Sequence, residues 1–155
     1  MFPIDTNSIF SQDFAIIQSN YEVIHFDEYP ILFVGLNKYH NIVLGSLLCE
    51  DEESKPGGLR FIHTIITTTD LWNFANQRIT YRRLLQKVKY VYILDKDYNY
   101  VLQQSWFVHL EEIPKAYLPL PDTLCPVVGQ DQMLNLLKLG RSADKVYQNL
   151  EGALI

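Results

Sequence analysis

Cysteine is scarce in this chain: Cys49 and Cys125 are the only two among 155 residues. They stand far apart and fall in neither a paired nor a metal-ligand spacing, which argues against a disulfide framework or a zinc knuckle and fits a reducing compartment. Positive charge is also short. Thirteen Lys and Arg face eighteen Asp and Glu, a formal charge of −5, so no global field draws the chain toward phosphates and nucleic acid is disfavoured as a partner. The longest apolar run, Ile31 to Leu36, falls far below the roughly 20 residues of a membrane span. The start, Met1-Phe2-Pro3-Ile4-Asp5, lacks the basic region and apolar stretch of a secretory signal, so the expected location is the cytoplasm. The sequence also contains no GxGxxG, GxxxxGK[ST], GxSxG, HExxH or CxxC. The usual signatures of phosphate cradles, nucleophile elbows and zinc sites are therefore missing.

What is present is ordinary for a globular protein, with 48% hydrophobic and 13% aromatic residues. The length suits one α+β domain over residues 1–155. Ten Tyr and eight Phe tilt the expectation toward sheet, whose pleated surfaces accommodate aromatic rings.

The region Ile9 to Ile17 mixes helical and strand periodicities and slightly favours a short helix. Tyr21 to Phe26 reads as a strand that Tyr29-Pro30 ends. Ile31 to Leu36 and Ile42 to Cys49 form a hairpin across Asn37-Lys38-Tyr39-His40-Asn41. After an acidic, Pro-Gly-Gly-punctuated loop, Leu59 to Thr67 resumes as a strand. Leu59, Phe61, His63 and Ile65 share one face of it, and Arg60, Ile62, Thr64 and Ile66 the other.

Two short helices follow, the first capped by Thr69 or Asp70, the second capped by Thr80 before Tyr81 to Val88. Tyr90 to Leu94 and Tyr100 to Val108 make a second hairpin. Its loop resembles the first when Leu36-Asn37-Lys38 is aligned with Leu94-Asp95-Lys96, and Asn tolerating a left-handed conformation explains the shared turn. Pro114, Pro119, Pro121 and Pro126 impose an extended connection that wraps the outside of the sheet. Asp131 to Leu139 is a helix with Met133, Leu134, Leu136 and Leu137 inward and Gly140 as its stop, and Ser142 starts a further turn or two. The expected architecture is a five- to six-stranded antiparallel meander, or a small partly closed barrel, with inserted helices and a C-terminal helix.

Few residues carry chemistry. Glu50, Asp51 and Glu53 could offer oxygen ligands to Mg²⁺ or Ca²⁺, although an acidic run is more often a solvated loop. His63 could carry a proton, but its apolar row mates suit a core histidine satisfied by one hydrogen bond. Arg60 is placed to pair with the acidic loop. Tyr81, Arg82 and Arg83 form a basic and aromatic mixture of the kind that contacts phosphates, or simply a polar helix face. Trp72, Phe74 and Trp106 suit either a recognition surface or the core.

The segments Gly45-Ser46-Leu47-Leu48-Cys49-Glu50-Asp51-Glu52-Glu53, Arg60-Phe61-Ile62-His63 and Ile79-Thr80-Tyr81-Arg82-Arg83-Leu84-Leu85, with Tyr29-Pro30-Ile31-Leu32-Phe33 before them, resemble an uncharacterised family of small bacterial proteins. The resemblance spans about Tyr21 to Asn99. It implies a bacterial cytoplasmic protein associated with mobile-element or defence genes, and no reaction.

The leading expectation is thus a non-catalytic binding or accessory module that docks to a protein partner, as a hetero- or homo-oligomer. The alternative is a binder or enzyme of a nucleotide or other phosphorylated small molecule. It would use Arg60, His63, Tyr81, Arg82 and Arg83, with a metal on Glu50, Asp51 and Glu53. A phage or plasmid inhibitor of host proteins is a third class. No cofactor is indicated.

Overall fold

A computed structural model describes Ile17 and residues 21–50, 58–88 and 90–154, with side chains described as far as Asp144. Six strands, β1 (Glu22–Asp27), β2 (Tyr29–Leu36), β3 (Ile42–Glu50), β4 (Gly58–Ile66), β5 (Tyr90–Asp97) and β6 (Leu102–His109), pair antiparallel in chain order. The result is an open meander, as the strand pattern implies. α1 (Thr68–Ala75) and α2 (Tyr81–Gln86) separate β4 from β5, and α3 (Gln130–Leu154) ends the described chain. Among the described residues no helix is long and apolar enough to cross a membrane.

Strand alternation builds two apolar faces. Leu32, Ser46, Ile62, Ile93 and Trp106 stand in one register row across five strands. With Val34, Leu44 and Val91 they meet Leu71 and Phe74 of α1, Leu84 and Leu85 of α2, and Leu136 of α3. The next row, Phe33, Gly45, His63, Tyr92 and Phe107, belongs to the opposite face. There Phe33, Leu59, Phe61 and Leu94 are buried as a second core. Gly45 is needed in that row because a Cβ would stand 2.4 Å from the Phe33 ring, which lies over the space a side chain would fill.

The N-terminal caps of α1 and α2 are threonines. Thr80 accepts from the Arg83 amide, as expected, but the first cap is Thr67 accepting from Asp70, one turn earlier than Asp70 itself would allow. Tyr29 and Pro30 do not end β1; they open β2. The chain reverses at Glu28 in the left-handed region (φ 62°), and Pro30 pairs with Phe26 in the second position of β2.

The two later hairpin turns are the same structure. Asn37 Oδ1 accepts from the amides of Tyr39 and Asn41, and Asp97 Oδ1 from those of Asn99 and Val101. His40 (φ 62°) and Tyr100 (φ 64°) take the left-handed position. The structural match therefore aligns Asn37 with Asp97, two residues later than the loop resemblance suggests. Consequently Asp95 and Lys96 belong to β5, not to the loop.

The proline-rich connection contains two 3₁₀ turns, Leu110–Glu112 and Lys115–Tyr117. Rather than lying outside the sheet, it enters the helix-side core through Ile113 and Cys125. It is tied there by Tyr81 N donating to Thr123 O (2.9 Å) and Gln77 Nε2 to Cys125 O (2.7 Å). α3 runs through Gly140 without stopping. That glycine lets α3 approach α1, since a Cβ would stand 3.0 Å from the Trp72 ring and 3.2 Å from Thr68. Leu134, expected inward, is 51% exposed, whereas Leu136 is fully buried. The helix expected over residues 9–17 lies outside the described residues, Ile17 excepted.

Candidate functional site

The residues singled out from the sequence do not meet. Arg60 faces the helix side, where its Nε and Nη2 donate to the two oxygens of Asp95 (2.7 and 3.0 Å) and its guanidinium lies 5.1 Å from the centre of the Trp106 ring. That buried pair replaces the exposed pairing with the acidic loop expected from sequence. The bonded Asp95 carboxylate raises the Arg60 pKa further. Gln104 Nε2 also donates to Asp95 (2.5 Å), so the guanidinium is a structural cation.

His63 stands on the opposite face, its ring 5.6 Å from that of Phe33 at 75°. Tyr81 is buried, with its hydroxyl hydrogen-bonded to Ser46. Burial pushes its phenol up to about 12 against the lowering effect of that bond, so it serves as a neutral hydrogen-bonding group and not as a base. Arg83 is exposed on α2. Arg82 is partly buried beside a cleft of about 600 Å³ that Lys87, His109 and Lys115 also line, and its Nε finds no partner among the described residues. Lys87 already bonds Asp70 at 2.6 Å.

Glu50 is exposed at the end of β3, and Asp51 and Glu53 lie outside the described residues. Among the described residues no group of three or more His, Cys, Asp or Glu gathers to hold a metal. Trp106 and Phe74 are core residues.

Two concave features escaped the sequence reading. The first is a groove of about 260 Å³ on the helix side, between the sheet and the proline-rich segment. Leu48 of β3, Leu85 of α2, and Leu118, Pro119 and Leu124 form apolar walls, and Ser46 and Tyr81 line it with hydroxyls already bonded to each other. Leu124 is exposed, and so are Leu120 (74%), Tyr117 and, on β1, Phe26 (63%). Four prolines holding apolar residues off a regular element were the available signal, because an extended strap without ladder bonds must satisfy itself elsewhere.

The second feature is a smaller pocket on the opposite face, lined by Phe33, Phe61, His63, Lys96 and Tyr100 among others. Its signal is the alternation that Asp95 and Lys96 continue beyond Leu94, which a strand ending at Leu94 hides.

Comparison with protein-family models, curated proteins and solved structures finds no match.

Proposed function

We propose that this chain is a non-catalytic module that docks to a protein partner through the groove beneath the proline-rich segment. The observation that carries this reading is the combination of an apolar groove with exposed Leu120 and Leu124 on the segment that walls it. Isolated exposed apolar residues are ordinary, but a cluster at a concave site favours a partner. The groove's two hydroxyls are mutually satisfied, so an apolar side chain entering it leaves no donor stranded. With a formal charge of −5 on the chain, the favoured segment presents a bulky apolar residue flanked by Lys or Arg.

Peptide display on the wild-type protein tests this. Selected binders should share that pattern and lose about tenfold or more in affinity on Leu124→Asp, a change at an exposed position. Binders without the pattern, or equal binding to both proteins, would sink the docking site.

Arg82 supports a second reading, an anionic small molecule in the neighbouring cleft beside Lys115 and His109. Thermal shift with inorganic phosphate and nucleotides tests it: a ligand at 100 times its Kd adds about 2.7 kcal/mol of stability. Equal shifts in the wild type and in Arg82→Gln would remove this reading.

A further inference from the structure

Among the described residues Lys96 has no anionic partner within ion-pair distance. Its neighbours in the strand, Asp95 and Asp97, fall on the other side of the pleat. Both are engaged, Asp95 with Arg60 and Gln104, Asp97 with the amides of its turn and with Gln103. Lys96 instead faces the second core, paired in register with Leu59. Its ammonium lies 5.5 Å from the centre of the Phe61 ring and makes no hydrogen bond or ion pair with any described residue. Burial lowers its pKa, because an ammonium removed from water is costlier to keep charged.

The surroundings are aromatic. Phe33 meets Tyr21, Phe61 and His63 edge to face at 5.6, 5.7 and 5.6 Å. Tyr100 joins them because the β5–β6 turn reaches back toward β2, where Tyr29 touches both Tyr98 and Tyr100. Between these rings and Lys96 lies a pocket of about 210 Å³. A dry cavity of about 150 Å³ already holds a benzene molecule, so one ring with a small substituent fits. A ring in that space finds aromatic partners, and a carboxylate on it can pair with the Lys96 ammonium, which pairs with no carboxylate among the described residues.

We propose that this pocket binds a small monocyclic aromatic carboxylate, with Lys96 taking the carboxylate and Phe33, Phe61 and Tyr100 enclosing the ring. The site is on the opposite sheet face from the docking groove and does not depend on it.

Benzoate is the probe, followed by backbone amide shifts in the full chain. Saturable shifts should centre on the amides of Phe61, His63 and Lys96. Benzyl alcohol, with the ring but no charge, and acetate, with the charge but no ring, should each bind about tenfold or more weakly. Lys96→Met, which keeps the apolar stem and can be checked for a native spectrum, should reduce benzoate to the level of benzyl alcohol, and Lys96→Arg should retain part of the affinity. Equal binding of benzoate to wild type and Lys96→Met, equal binding of benzoate and benzyl alcohol, or no saturable shift in that region would overturn the assignment.

Discussion

Asp95 has no exposed surface, and its carboxylate gathers three donors from two side chains. Burying two ions costs several kcal/mol of hydration, which their attraction offsets only while both are present. Asp95→Asn should therefore destabilise by about 3–5 kcal/mol, because Arg60 stays charged beneath Trp106 without its counter-ion. The double variant Arg60→Met with Asp95→Leu should recover most of that loss, since apolar replacements of similar volume remove both desolvation costs. Urea unfolding of the single and double variants measures the difference; a double variant as unstable as Asp95→Asn would show that the pair adds net stability. Alternation in the β4 sequence correctly separates Arg60 from His63 onto opposite faces. It could not name Asp95 as the partner, because that depends on a register between β4 and β5 set across two intervening helices.

Elements were legible where a local rule decides them. The six strands follow from β-branched and aromatic runs, and the Thr80 cap from its place before an apolar helical stripe. Local rules failed where a long-range contact reassigns a residue. Gly140 follows a leucine-rich helical stretch and has the look of a C-terminal stop, yet α3 continues, and the missing side chain instead serves the packing of α3 on α1. The twin turns fail in a similar way: the Lys and Asn shared by the two loops suggest one alignment, while the side chain that accepts two amides, Asn37 or Asp97, dictates another. Gly140→Val separates the two accounts of that glycine. A stop tolerates little, but it would leave Trp72 indifferent to the change. Here added methyls press on Trp72 and Thr68, and overpacking of this kind costs about 1–3 kcal/mol. Lower thermal stability accompanied by a change in Trp72 fluorescence, read in a Trp106→Phe background, is the expected result, and an unchanged melting temperature would argue against close packing of α3 on α1.

The whole molecule carries titratable groups of opposite sign in its two cores, and this shapes its response to alkali. On the helix side, burial raises Tyr81 from 10.0 to about 12 and Cys125 from 9.0 to about 11. The unfolded chain then loses these protons before the folded chain does, so folding is penalised as pH rises from 9 to 11 for Cys125 and from 10 to 12 for Tyr81. For the fully buried Tyr81 the difference corresponds to roughly 3 kcal/mol. Lys96 works the other way. Its folded pKa lies below 10.5, so the unfolded chain holds that proton longer, and stability is regained as pH climbs to 10.5. The tyrosine and cysteine effects outnumber it, and urea midpoints should fall between pH 9 and 12. Tyr81→Phe starts from a lower stability, because Ser46 loses its partner, but its midpoint should fall less steeply than wild type between pH 10 and 12. Tyr92, also raised by burial, leaves a residual slope in that variant. If Tyr81→Phe and wild type decline in parallel over that window, the alkaline transition does not originate at the Ser46–Tyr81 pair, and ionisation of Cys125 and of tyrosines on the sheet such as Tyr92 drives it.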